Sequence, residues 1–215
     1  MGEAAILLRS PQAAFVSGTA VKAVDRAIDE HVLPEGFYVL DGGRRLTPGA
    51  CVMIAFYHGA ADTFTPGQRK HIITHFEGRL RHIAFDRCKV IAGEDWKLGE
   101  QYWSVDLAPF IERTACSYER LREAEAAVSR SEDVMGGADV VRGTRVPVHD
   151  IAASVAVGEP IDRIRDAYPS LTDRQIQLAI VYAAAHPPRG RPRGTALPAG
   201  TEHVARKIMQ RKSAG

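Results

Sequence analysis

Apolar residues recur along this chain mostly at spacings of three and four, the rhythm of helices that bury one face. Val21, Val24 and Ile28 predict a helix from Ala20 to about His31, with Thr19 as its expected cap. Ahead of it, Ser10-Pro11 opens a shorter helix to about Val16, and Ser17-Gly18 breaks it. Two short helices joined through a glycine have the outline of a helix-turn-helix. Gly36 to Leu40 then reads as a strand, and Asp41-Gly42-Gly43-Arg44-Arg45 as the tight turn of a wing.

Thr47-Pro48 and Thr65-Pro66 each supply a cap with proline at the first helical position. The helix after Thr47 carries Val52, Met53, Ile54, Phe56 and Tyr57 nearly all round, which predicts full burial until Gly59 stops it. The next turns Ile72, Ile73, Phe76 and Leu80 inward, leaving Arg69, Lys70, Arg79 and Arg81 for the surface. Strand-like runs follow at Lys89–Ala92 and Tyr102–Val105. Asp106 is the expected cap of a helix to about Val128 bearing Leu107, Phe110, Ile111, Tyr118 and Leu121.

The polar run Ser129–Asp133 reads as a linker. Beyond it, Ala138–Val141 and Arg145–Val148 flank Arg142-Gly143-Thr144 as two arms of a hairpin. Asp150 opens a helix that Gly158 ends, and Pro160 starts another with Ile161, Ile164 and Tyr168 on one face. Thr172 and Gln175 make a capping box for a last helix to about Ala185. That helix is apolar on both sides: Ile176, Ala179, Ile180 and Ala183 on one, Leu178, Val181 and Tyr182 on the other. The second side needs cover from a homodimer partner or from the rest of the chain. The expected fold is mainly α (α+β): a winged-helix-like domain with short strands over 1–128, a linker at 129–133, a β-hairpin with a trihelical module over 134–186, and a tail at 187–215.

Composition is that of an ordinary water-soluble protein, 45% hydrophobic and 25% charged. No apolar run has membrane-span length, and the first residues lack a basic leader with a long apolar region, so a cytoplasmic location is expected. Cys51, Cys88 and Cys116 are too few and too scattered for a disulfide framework or a paired metal site. Charge changes the picture more. The tail holds seven Lys/Arg against Glu202, a net +6, and leaves the preceding residues at −4. A basic tail on an acidic body suits an anionic partner.

Signatures of catalysis are missing: no glycine-rich phosphate loop and no nucleophile elbow. His71 and His75 stand four apart on a helix but lack a third ligand. Glu94, Asp95 and Asp106 are better explained as a polar loop and a helix cap than as a magnesium cluster. No metal and no cofactor is expected, and no enzymatic activity. The helix-turn-helix is the better lead. Thr19, Lys22 and Arg26 fall on one face at i, i+3 and i+7, opposite the apolar positions, and Arg44 and Arg45 sit on the wing, so all five are candidate DNA contacts. Arg174, Gln175 and Gln177 offer a second, C-terminal way to reach DNA.

The stretch from Val134 to Pro147, Val-Met-Gly-Gly-Ala-Asp-Val-Val-Arg-Gly-Thr-Arg-Val-Pro, with the helical run to Tyr182-Ala183-Ala184-Ala185, resembles domain-of-unknown-function family 433. The family is regarded as antitoxins of type II toxin–antitoxin pairs of the VapBC kind, encoded beside a PIN-like ribonuclease. The resemblance covers about 133 to 186. Gly136, Gly137, Arg142, Gly143, Thr144, Arg145 and Pro147 carry it, and their chemistry reads as structural. It implies that the chain neutralises such a ribonuclease toxin and, as a homodimer, binds operator DNA to repress its own operon. The tail then becomes the candidate toxin contact, through Arg189, Arg191, Arg193, His203, Val204, Arg206, Lys207 and Ile208, since arginines suit the acidic metal site of such a nuclease. A stand-alone DNA-binding transcriptional regulator, whose tail binds DNA, is the other reading of the same residues.

Overall fold

The computed structural model describes residues 6–83, 85 and 95–188. Outside the described residues lie the strand-like run Lys89–Ala92, Cys88 and Glu94. So do the tail residues Arg189, Arg191, Arg193, His203, Val204, Arg206, Lys207 and Ile208.

Among the described residues the architecture is mainly α, with eight helices and three small antiparallel sheets. The chain begins β1 (Leu8–Arg9), α1 (Ser10–Ser17), α2 (Val21–Asp29), β2 (Tyr38–Val39) and β3 (Arg45–Leu46). Helices α3 (Pro48–Gly59) and α4 (Pro66–Leu80) follow. A hairpin of β4 (Lys97–Glu100) and β5 (Trp103–Asp106) leads into α5 (Ala108–Ala126). The remainder is β6 (Val128–Arg130), β7 (Asp139–Val141), α6 (Val148–Ala156), α7 (Ile161–Ala167) and α8 (Asp173–Ala185).

Local capping chemistry sets most helix starts. Thr47 accepts from the Ala50 amide, and Thr65 from the Gln68 amide while Gln68 returns a bond to Thr65. Thr172 and Gln175 repeat that reciprocal box. Asp106 accepts from the Ala108 amide at 2.9 Å, although the capping position itself is Leu107. Helix α3 is buried from Pro48 to Phe56, as a helix without a polar face must be. Burial pushes the Cys51 thiol up to about 12, which keeps it protonated and unreactive. Gly49 permits the close approach to α4: a Cβ there would lie 2.2 Å from the Leu80 carbonyl oxygen. Arg69 departs from expectation, being only 8% exposed. Its guanidinium lies 4.2 Å over the Tyr57 ring and donates to the Tyr57 carbonyl in the last turn of α3. A cation fits that helix end, so the charge is drawn inward rather than left in water.

Two expectations for the C-terminal half change. Ser129 and Arg130, assigned to the linker, belong to β6, which pairs with β7 in the register Val128↔Val141, Ser129↔Val140, Arg130↔Asp139. The partner expected for β7, Arg145–Val148, instead makes one isolated bridge, Val140↔Pro147. Polar side chains on a three-residue edge strand hide its pairing from a hydrophobic pattern. Arg142 fastens this hairpin to α5: its Nε donates to the Ala126 carbonyl at 2.8 Å and its Nη2 to the Val128 carbonyl at 3.1 Å.

The described core falls into two clusters. One runs from Leu8 to Leu121, and the other, from Val128 to Ala179, lies beneath α6, α7 and α8. Helix α8 belongs to both. Ile176 and Ala179 face the second cluster, while Ala185 is buried in the first, where α8 packs on α1 and α5. On the second apolar side, Val181 is buried, Leu178 and Tyr182 are half-buried, and Tyr182 packs on the second cluster. Glu125 secures this junction by accepting from Gln12 of α1 at 2.9 Å and pairing with His186, just past α8, at 3.0 Å. The His186 ring stacks on Tyr182, with centroids 4.4 Å apart.

Arg142→Ala is expected to lower stability by about 1–2 kcal/mol, since two charge-assisted bonds are lost, read as a lower Tm. Arg142→Lys should recover little, because an ammonium lacks the fork that serves two carbonyls. The His186 bond, chiefly, holds the Glu125 carboxyl below the usual glutamate range. Its contribution is therefore complete above the unfolded glutamate pKa and is lost as pH falls through the depressed folded value. Denaturant titrations from pH 7 to pH 3 should show a shallower acid limb for Glu125→Gln than for the unsubstituted protein.

Candidate nucleic-acid interface

The first unit is built strand–helix–helix–hairpin, with sheet order β1-β3-β2. Register pairs Leu8 with Leu46 and Arg9 with Arg45, then Tyr38 with Leu46 and Val39 with Arg45. The order and pairing follow the outline that the sequence predicts for a winged helix-turn-helix, with α2 as the second of its two helices. Gly18, at φ 67°, ends α1, and its amide and that of Thr19 return to Phe15 and Ala14. The turn fixes how α2 leaves α1.

Helix α2 buries Val24, Ala27 and Ile28 and leaves Lys22 and Arg26 exposed. Among the described residues neither of these two cations forms an ion pair. Thr19 is placed differently from expectation. The helix starts at Val21, its cap is Ala20, and the Thr19 hydroxyl shares a bond with the Ser17 hydroxyl at 2.9 Å. Thr19 therefore shapes the turn before α2 and does not cap the helix.

Arg44 is also not a free wing tip. Its guanidinium reaches Asp25 at 3.1 Å and Asp29 at 2.7 Å, both on α2. Bonding to Asp25 raises the Arg44 pKa further, so this charge is permanent. The exposed face of α2 carries acids one turn apart, and Arg44 neutralises them. Arg45 remains uncommitted to any carboxylate among the described residues. The five residues thus divide into Lys22, Arg26 and Arg45, able to meet an external anion, and Thr19 and Arg44, which shape the frame.

The C-terminal residues behave as scaffold. Gly136 and Gly137, at φ 62° and 79°, lie in the turn between β6 and β7. Gly143, at φ 79°, makes the turn after β7, where a side chain would be strained. Thr144 donates to the Val141 carbonyl at 2.8 Å and accepts from the Val146 amide at 3.1 Å. Pro147 caps α6, and Arg145 is exposed. Of the second set of DNA candidates, Arg174 is ion-paired with Glu123 and Gln175 serves its capping box, which leaves Gln177 exposed. Among the described residues no group of three His, Cys, Asp or Glu is arranged to hold a metal ion. His71 instead lies 3.7 Å from Glu100, and Asp95 accepts from the Lys97 amide. No described helix is long and apolar enough to cross a membrane.

Sequence reasoning passed over Arg9 and Arg130. Neither lies on a periodic pattern, and the strand that pairs Arg9 with Arg45 is two residues long.

Comparison with known proteins agrees with the resemblance of the C-terminal segment. Residues 128–183 match the family described as "Protein of unknown function (DUF433)". No solved structure matches the chain significantly. The chain is 41% identical over 217 residues to "Uncharacterized protein y4eO" of Sinorhizobium fredii (strain NBRC 101917 / NGR234), covering 100% of this chain and 98% of the other. With that identity from end to end, the chain belongs to the same family as the Sinorhizobium protein, and its residues 128–183 are a segment of the DUF433 family.

Proposed function

We propose that this protein is a DNA-binding antitoxin: it binds operator DNA as a dimer through its winged helix, represses its own operon, and neutralises a PIN-like ribonuclease through its basic tail. The observation that carries the DNA half is the surface of α2. Lys22 and Arg26 project unpaired from a helix in the recognition position, while Arg44 cancels that helix's acids. Such a surface offers positive charge to phosphate and base edges without the repulsion that free Asp25 and Asp29 would add. The antitoxin half is supported by the DUF433 segment and by the net +6 of residues 187–215. A stand-alone regulator differs in one respect: its tail binds DNA and no nuclease.

Lys22→Gln with Arg26→Gln is expected to weaken binding to the duplex upstream of the gene by about tenfold or more, as two cationic contacts are lost, with the melting temperature unchanged. Fluorescence anisotropy checks it; unchanged affinity rejects α2 as the reader. Deleting residues 189–215 is expected to abolish co-purification with the nuclease encoded beside the gene and to restore its toxicity in co-expression. If neutralisation survives the deletion, the tail is not the inhibitory element.

A further inference from the structure

A cleft of about 1050 Å³ opens between the start of α1, the β6–β7 hairpin and the end of α8. Arg9 lines it from the winged-helix side and Arg130 from the DUF433 side. Neither arginine has an ion pair among the described residues. Arg9 is moreover the cross-strand partner of Arg45, two like charges set directly opposite. That arrangement is destabilising in isolation and is relieved by an anion shared between them. Arg130 stands across from Asp139, and both charges act on Tyr182: burial, then Asp139, push its pKa up to about 12, while Arg130 opposes the rise. The cleft's other acid, Asp150, lies in the first turn of α6, where the helix dipole offsets it.

The place of the cleft relative to α2 says which anion it meets. Arg9 is the residue immediately before α1, the first helix of the helix-turn-helix and the one that crosses the DNA backbone in this class of reader. The neighbouring Ser10 hydroxyl bonds Asp25 at 3.0 Å, which sets the start of α1 against the middle of α2. Pro187 and Pro188 form part of the rim, and the sequence that follows carries Arg189, Arg191 and Arg193.

Resting on the DNA-binding reading above, we propose that Arg9, Arg45 and Arg130 form a seat for backbone phosphates of the operator, so that the DUF433 segment shares in DNA binding through Arg130. Phosphate contacts of this kind position the protein without reading sequence. They set α2 in register while Lys22 and Arg26 meet the groove.

The test uses the full chain, with Arg9→Gln, Arg130→Gln and the double variant, titrated by anisotropy against two duplexes. One is the region upstream of the gene; the other is an unrelated duplex of equal length. Each arginine removed should reduce the salt slope by about 0.9, so that the loss of affinity between about 50 and about 200 mM salt shrinks by about threefold. Both duplexes should weaken by the same factor, and Arg130→Lys should retain the slope. Melting temperatures identify any variant that fails to fold, and the lysine variant then carries the test in reverse, through Arg130→Glu against Arg130→Lys. A wild-type slope in Arg130→Gln, with wild-type DNA binding intact, overturns the phosphate seat and leaves the α2 reading standing. If the unsubstituted protein binds neither duplex, both fall.

Discussion

Everything beyond α5 depends on one constraint: α8 is apolar on both sides and has to be buried on both. A 13-residue helix with two apolar faces cannot finish a small module and also face water. It lies instead between two cores, with Ile176 and Ala179 in one and Ala185 in the other. That sandwiching draws the DUF433 segment against α1 and α5, so it cannot hang from the winged-helix unit as a tethered appendage. Polar groups fix the register of the contact. Glu125 takes bonds from both sides of the joint, and Arg142 pins the β6–β7 hairpin to the carbonyl end of α5. Both bonds meet at Oε1 of this half-buried carboxylate, which therefore joins the two sides of the joint through one atom while the group keeps contact with water.

The signature stretch around Arg142-Gly143-Thr144-Arg145 acquires a physical meaning from this joint. Gly143 turns the chain, Thr144 holds the turn through its hydroxyl, and Arg142 reaches back to α5. Three adjacent residues therefore couple a local turn to an inter-unit clamp. Nothing in their geometry asks for a substrate.

The sequence was legible where the controlling interaction is local. Thr47, Thr65 and Thr172 act on amides three residues away, so their helix starts could be read directly. The apolar circumference of α3 announced its burial, and the helix–turn–helix–wing outline followed from periodicity and glycine. Partners distant in sequence were the illegible part. Arg44 finds Asp25 and Asp29 across the wing, Arg69 finds Tyr57 on the previous helix, and β6 finds β7 from within a polar run. Each was expected on the surface because charge and polarity ordinarily stay there. At the candidate site, Lys22, Arg26 and Arg45 could be picked out as cations, but the neutralising role of Arg44 needed three dimensions, as did the meeting of Arg9 with Arg45.

The Arg44 clamp ties three separate positions to one another. One guanidinium serves two carboxylates a turn apart on α2, so the β2–β3 turn and α2 share a single electrostatic element. Without Arg44, Asp25 keeps the Ser10 hydroxyl and Asp29 loses its cation, and losing one acid alone leaves the arginine half-occupied. Positions 25, 29 and 44 are thereby one electrostatic unit, in which a change at any one alters the charge balance of the other two. Positions 22 and 26 have no such ion-pair ties among the described residues, so either can change without disturbing that unit.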